Sequence, residues 1–384
     1  MKKYKFLFLL IVLFQNGFAQ SNSSWKGYFS YNEIIDVEGT TGKIFSATQN
    51  TIFSKTINSS ELSIHNSVTG FKPEFITAIH HSETTNKIFA GNTNGLLVII
   101  NSDGSVTAKV DIINEVPVAP NKKKINDLFE HNGRLYIATD YGISVLEKVN
   151  NKWVFRNKIN GFDYSSRYFE ITNSLDVYVS HEYKGVFRLK LDDKFFKTNK
   201  FITYQSPKKG KNASLVKFNN QIYYAYKDGI LKLNSKTNEF EKDKLLSSVF
   251  ENDEYTSGKM IVDYSNKIWL FSKNYIHYFT LSKLSSDLKQ NNIPIPAALT
   301  NSMSGFENIN QISNYGYLIG TTDGYYTMNI NDLSFKNYNV SISNISVNKI
   351  NETSFFAPIT EEGEFKHEEN NITFNYTVPE YNKY

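Results

Sequence analysis

The sequence has no cysteine. That absence excludes disulfide staples, thiolate zinc centres and a cysteine nucleophile. It also excludes a lipid-anchored cysteine at an export cleavage point. Long apolar runs are nearly missing too. Phe6 to Phe14 is the one example, and it is about half the length needed to cross a bilayer as a helix. An excess of one charge is missing as well. The formal charge is +4, but residues 1–19 carry three Lys and no acid, which leaves +1 on the rest. Such a balance exerts no general pull on nucleic acid. The local clusters Lys122-Lys123-Lys124 and Lys208-Lys209-Lys211 sit among Pro, Gly and Asn and read as solvated loops.

What the amino terminus does contain is the layout of a secretory signal. Lys2, Lys3 and Lys5 precede the apolar run, and Gly17-Phe18-Ala19 offers a small-residue cleavage site. The expected mature chain starts at Gln20 and is exported, with no membrane span. About 365 mature residues are ample for an apolar core. Aromatic residues are abundant, with 29 Phe and 25 Tyr, and they favour strands.

A repeat organises the remainder. Seven short apolar strands carry an aromatic or Leu marker: Phe45, Phe89, Tyr136, Tyr178, Tyr223, Trp269 and Leu318. Their spacings are 44, 47, 42, 45, 46 and 49 residues, the period of four-stranded propeller blades. A Gly or Asn follows each marker: Asn50, Gly95, Gly142, Gly185, Gly229, Asn274 and Gly324. Such residues tolerate the positive φ of a tight hairpin. Innermost strands are expected ahead of the markers, for example over residues 75–79, 125–129 and 260–264, with outer strands such as 96–100 and 186–190 beyond the turns. Two-residue alternation excludes a helical solenoid, and residues 282–290, the nearest helical candidate, are stopped by Asn291, Pro294 and Pro296. The fold class expected is all-β: a seven-bladed β-propeller over residues 20–338, then an incomplete immunoglobulin-like β-sandwich over residues 339–384. Residues 25–31, Trp-Lys-Gly-Tyr-Phe-Ser-Tyr, have strand composition and are placed to supply the outermost strand of the last blade. In the C-terminal part, residues 341–347 and 372–378 read as strands and Phe365 as part of a third.

Two resemblances lie in these repeats, both to the two-component-regulator propeller family. Residues 25–31, Asp111-Ile112-Ile113, Asn126 and the run 135–145 resemble the first propeller of PorZ-type surface components of type IX secretion. From Trp153 onward, Gly161-Phe162, Ser165-Ser166-Arg167, residues 181–187, Phe306-Glu307-Asn308-Ile309 and residues 319–325 resemble the extracytoplasmic sensor region of LuxR-type and hybrid regulators. Residues 370–376 with Tyr381 and Tyr384 resemble the opening of the three-Tyr domain of those regulators. The resemblance implies an extracytoplasmic binding module, either a sensor taking a small molecule, glycan or peptide, or a surface scaffold for anionic polysaccharide or secretion partners. Another propeller or an envelope protein is the expected macromolecular partner.

Chemistry is hard to find in the sequence. His80 and His81 are neighbours in a strand and point to opposite faces, so they do not form a metal pair. His181-Glu182 lacks the second His of a zincin helix. No Ser-x-Asp-x-Gly-x-x-Trp box recurs at the turns, Ser102-Asp103-Gly104 being a single turn without the Trp. A carbohydrate-active propeller enzyme is therefore the lesser expectation; catalytic residues, metal and cofactor are expected to be absent. The hairpin turns carry Asn92, Asp140, Tyr141, His181, Tyr183, Lys227, Asp228, Asn274, Tyr275 and Asp323. Aromatic and amide groups around a concave mouth suit sugars or peptides. Tyr141, Arg167, His181, Tyr183, Asp228 and Tyr275 are the candidate ligand contacts.

Overall fold

The computed structural model describes residues 32–40, 42–57, 59, 61–66, 75–172, 175–192, 198–204, 210, 212–252, 254–282, 287–295, 304–333, 340–348, 353–359 and 364–377. The signal segment and the strand expected over residues 25–31 lie outside them. The chain divides into two compact units, Met1–Ile330 and Asn331–Tyr384.

The first unit is all-β. Among the described residues it forms seven consecutive antiparallel sheets, six of four strands and the seventh of three. Each sheet is a meander, and its first strand in chain order lies innermost. These inner strands are Asp36–Gly39, Ile76–Ser82, Ile125–His131, Phe169–Ile171, Ser214–Phe218, Tyr255–Val262 and Asn308–Gln311. All seven markers fall on the second strand of their sheets. Residues 288–294, within the helical candidate's reach, form the outer strand of the sixth sheet instead. The one α-helix among the described residues is the single turn Lys244–Ser247, capped by the Asp243 carboxylate on the Leu246 amide.

The marker positions are large and apolar, aromatic in six of seven, because they fill the gap between one sheet and the next. Phe45 packs with Ile79 and Ile88 of the second sheet, and Phe89 with Ile137 and Trp153 of the third. Tyr136 meets Val177 of the fourth, Tyr178 meets Leu215 of the fifth, and Tyr223 meets Ile268 of the sixth. The Trp269 ring lies 4.6 Å from that of Tyr317 in the seventh, and Leu318 packs on Ile44 and Phe53 of the first. Burying each such side chain contributes about 1.5–3 kcal/mol. The last contact joins the two ends of the sheet series. Glu33 and Ile34 reinforce it by donating their amides to the carbonyls of Thr322 and Thr321, at 2.7 and 3.0 Å.

Hairpin geometry departs from expectation in two places. The turns at Asn50 and Asn274 form without positive φ, whereas Gly142 adopts φ 143°. A Cβ on Gly142 would stand 2.8 Å from the Phe162 carbonyl oxygen.

The second unit holds one three-stranded antiparallel sheet, Phe355–Ala357 beside Ser341–Asn348 beside Asn371–Thr377. Two of these strands match the expected positions. Phe365 is not in the third strand, which Phe355–Ala357 supplies; Phe365 instead lies just before the short helical turn His367–Glu369. No second sheet occurs among the described residues of this unit.

Candidate functional site

The inner strands are linked around the axis by side chains. Ile79 donates its amide to Asp36 Oδ2 at 3.0 Å, and Thr77 donates its hydroxyl to the Ile125 carbonyl. Asn126 Nδ2 donates to the Ser166 carbonyl at 2.9 Å. The Lys217 amide donates to Glu170 Oε1 at 3.0 Å, and the Met260 amide to Ser214 Oγ at 3.0 Å. Ser257 Oγ donates to Glu307 Oε2 at 2.7 Å, and Asn310 Nδ2 to Glu38 Oε2 at 3.0 Å. Every neighbouring pair of sheets thus has a polar joint at the axis.

Three bulges shape one end of this axis. Register shifts between Ile76 and Ala78, opposite Ala138 and Thr139, and between Tyr255 and Met260 release Thr77, Asn126 and Lys259 from regular pairing. A bulge re-aims the side chains it carries, and all three line a cavity at the axis. Asp36, Asp127, Lys124, Arg167, Tyr168 and Phe306 line it too. Its volume is about 50 Å³, room for a few waters. A larger open hollow, about 510 Å³, lies on the outer part of the fifth sheet around Lys232 and Glu241. There Asn234 is hydrogen-bonded to Glu241 at 2.8 Å, and the groups come from a single sheet, so they do not converge as those at the axis do.

Electrostatics at the axis are unusual for a strand interior. Burial pushes the Asp127 carboxyl up to about 7 and raises Asp36, although Lys259 opposes both shifts. Burial likewise carries Glu170 up to about 7 and Glu38 up to about 8. The Lys259 ammonium lies 4.5 Å from the Tyr168 ring centroid and 3.4 Å from its hydroxyl. Burial works against its charge, but Tyr168, Asp36 and Asp127 outweigh that cost and raise its pKa. Further along the axis His80 lies between Glu38 at 3.7 Å and Glu130 at 3.9 Å. Burial disfavours its protonation, and the two carboxylates more than offset it. His81 points the other way, stacking on Phe45 at 5.9 Å and reaching Asn86 at 3.1 Å.

Of the six candidate contacts, Arg167 alone lines the axial cavity. Among the described residues its guanidinium makes no hydrogen bond or ion pair. Tyr141 is buried in the core between the second and third sheets, with its hydroxyl on Ser144 at 2.7 Å. Its neighbour Asp140 is nearer the axis, accepting from Asn126 and Ser165. His181 accepts the amides of Tyr183 and Lys184 at Nδ1, 2.9 and 3.2 Å away, and so orders its own turn. Tyr183 is 70% exposed, Asp228 is exposed, and Tyr275 stands beside His277 on the sixth sheet. None of these four lines the cavity. The groups that do, Asp36, Asp127 and Lys259, are charged residues on innermost strands. Charge on a strand expected to lie innermost is the signal by which a sequence reading could have found them.

Comparison with known proteins fits this geometry. The family model for the N-terminal β-propeller domain of PorZ, of the type IX secretion system, matches residues 44–201, less than half the chain. No curated protein matches the sequence. Among solved structures, PorZ, an essential bacterial surface component of the type IX secretion system of Porphyromonas gingivalis, aligns with a TM-score of 0.59 at 15% identity. The alignment covers 79% of this chain and 37% of PorZ, so the chain spans just over a third of that protein. The WD40 β-propeller domain of Doa1 aligns at 0.52 with 12% identity, over 77% of this chain and 92% of that domain. An extracellular domain of a one component system from B. thetaiotaomicron aligns at 13% identity over 80% and 49% of the two chains; its TM-score of 0.42 lends it no weight. At these identities the structural likeness establishes a propeller-like fold and nothing finer. No helix among the described residues is long and apolar enough to cross a membrane.

Proposed function

We propose that this chain is an exported, non-catalytic binding module of the cell envelope. The seven sheets are the blades of one closed propeller, and the C-terminal sheet begins an immunoglobulin-like sandwich of three-Tyr type. Ligand is taken at the charged mouth of the axis. The observation that carries this reading is the Arg167 guanidinium, unpartnered in a cavity whose walls come from separate sheets. Convergent polar groups at a concavity mark a binding site. The lining includes no His or Ser; of its two hydroxyls, that of Thr77 is spent on a carbonyl and that of Tyr168 accepts from Lys259, which favours binding over nucleophilic chemistry. Tyr183, Asp228 and Tyr275 are then outer contacts for a larger ligand, whereas Tyr141 and His181 shape their turns.

In this reading the module is of sensor type, taking a small molecule, glycan or peptide in the periplasm. A second reading is favoured by the match over residues 44–201: a PorZ-like surface scaffold that binds anionic polysaccharide or secretion partners. Glycan and peptide arrays on the mature protein, beside cell fractionation, separate the two. A low-molecular-weight ligand with periplasmic location supports the sensor, and polysaccharide with surface location supports the scaffold. Array binding that is unchanged in both Arg167→Gln and Asp127→Asn overturns the mouth as the binding site.

A further inference from the structure

Resting on the reading of the mouth as the binding site, we infer that it recognises a carboxylate group, held by the Arg167 guanidinium. The group belongs either to a free organic acid or to the acidic end of a larger ligand. Three bases, Lys124, Arg167 and Lys259, and two acids, Asp36 and Asp127, line the cavity. The acids have their counter-charge in Lys259, which acts on both and is itself favoured by both. Lys124 is engaged in an interaction of its own. Arg167 is the base left over, half-buried and, among the described residues, without a hydrogen bond or ion pair from its guanidinium. Its backbone is fixed from both sides. The Ser166 amide donates to the Thr139 carbonyl at 2.8 Å, and the Arg167 amide donates to the Ser180 carbonyl at 3.1 Å. These bonds pin the residue between the third and fourth sheets, just ahead of the inner strand Phe169–Ile171. The root of the side chain is thereby held, which lowers the ordering cost of binding.

Charge and size choose the class. With all five groups ionised, the lining keeps a surplus of one positive charge, which an anion offsets and a cation would increase. Uncompensated charge in a confined space is costly. Burial raises the Asp36 carboxyl and carries that of Asp127 up to about 7. Any proton they hold makes the lining more positive, so the preference for an anion stands in either state. About 50 Å³ holds a few waters or a group of similar bulk. A carboxylate is small and flat, and it matches the planar guanidinium fork with two parallel hydrogen bonds. Phosphate is a bulkier tetrahedron and is the competing class. A sugar ring is excluded from the enclosed part. The guanidinium also acts on the phenol of Tyr183, which is exposed. The body of a larger ligand would therefore lie outside the cavity, over the turn that carries Tyr183.

The test is calorimetric titration of the mature protein with acetate, D-galacturonate and N-acetylglycine, the last two standing for an acidic sugar and a peptide C-terminus. Each is set against its uncharged counterpart, acetamide, D-galactose or N-acetylglycinamide, and all are set against inorganic phosphate. At least one acid should bind, tenfold or more tighter than its counterpart and than phosphate. Which acid binds identifies the source of the carboxylate. Arg167→Gln should weaken that acid tenfold or more, whereas Asp127→Asn should not weaken it. Thermal melts of both variants establish that they fold; Arg167→Gln leaves no partner unsatisfied. Equal binding of acid and counterpart, or tighter binding of phosphate, overturns the carboxylate. So does an acid that is indifferent to Arg167→Gln or weakened by Asp127→Asn. Failure of all three acids overturns it too, and if an array ligand still depends on Arg167, the mouth remains the binding site. If no ligand of any kind depends on Arg167 or Asp127, the mouth reading fails as well.

Discussion

Replacing Glu38 by Gln should flatten the dependence of stability on pH. The Glu38 carboxyl sits between His80 and Asn310, and burial lifts it to about 8, with the nearby Asp36 adding to the shift and His80 opposing it. The folded protein therefore holds this proton more tightly than the unfolded chain, whose Glu titrates near 4.3. Stability from this group is fully present below the unfolded value and is lost as pH rises through the window up to about 8. Inside that window each pH unit is about 1.4 kcal/mol per group, so Glu38 alone contributes roughly 3 kcal/mol between about pH 5 and pH 8. A domain of about 300 residues unfolds with an entropy near 0.6 kcal/mol/K, which makes that difference about 5 °C in Tm. His80 is raised as well and loses its stabilising share in the same direction. Gln cannot titrate but keeps an oxygen for Asn310, so the variant should lose Glu38's share of the slope. Asp127 and Glu170, each carried to about 7, leave it a shallower fall. Differential scanning calorimetry of both proteins across this range is the assay. Parallel Tm curves for wild type and Glu38→Gln would refute the argument that this carboxyl is held protonated by its setting.

Other consequences are equally concrete. Gly320→Ala would put a Cβ 2.3 Å from Ile34 Cγ2 and 2.5 Å from Asn308 Oδ1, so it should lower stability by about 1–3 kcal/mol through overpacking, read as a lower urea midpoint. Asn126→Ala removes donors to Asp140 and the Ser166 carbonyl and should cost about 1–3 kcal/mol, again by urea melt. Trp269→Ala empties a fully buried position against Tyr317; a loss of about 3–5 kcal/mol is expected, together with the indole donor that now satisfies Asp263 at 2.9 Å. Tyr183→Ala, on an exposed turn, should move Tm within the error of calorimetry.

The fold was legible because its signals are local. A marker such as Tyr136 or Trp269 sits amid apolar neighbours and ahead of a turn, and recurrence at a near-constant period turns seven weak strand signals into one strong one. The mouth was not legible in the same way. Asp36, Asp127 and Lys259 lie on three different sheets and Arg167 just ahead of a fourth, and only closure of the ring brings them to one axis. No spacing along the chain encodes that meeting. The bulges that aim Thr77, Asn126 and Lys259 are invisible as well, since an extra residue in one strand is defined by its pairing partner. Turn residues such as Tyr141 drew notice because turns are exposed as a rule, yet Tyr141 folds back into the core to reach Ser144.

The polar joints between inner strands also bear on how the ring is counted. Near-identical units stacked around an axis share the same apolar seams, so a seam alone does little to stop sheets from docking in the wrong order. The joints differ from one another: a carboxylate takes an amide at Asp36, a hydroxyl meets a carbonyl at Thr77, and a side-chain amide meets a carbonyl at Asn126. A misordered neighbour would face donor with donor, or leave a buried acceptor empty, at a cost of about 1–3 kcal/mol per joint. The chemistry along the axis therefore works as a set of keyed couplings, each admitting its own neighbour. A chain folding through transient sheet pairs would be sorted at every coupling, and the last one, between Asn310 and Glu38, closes only when the others have been made in order.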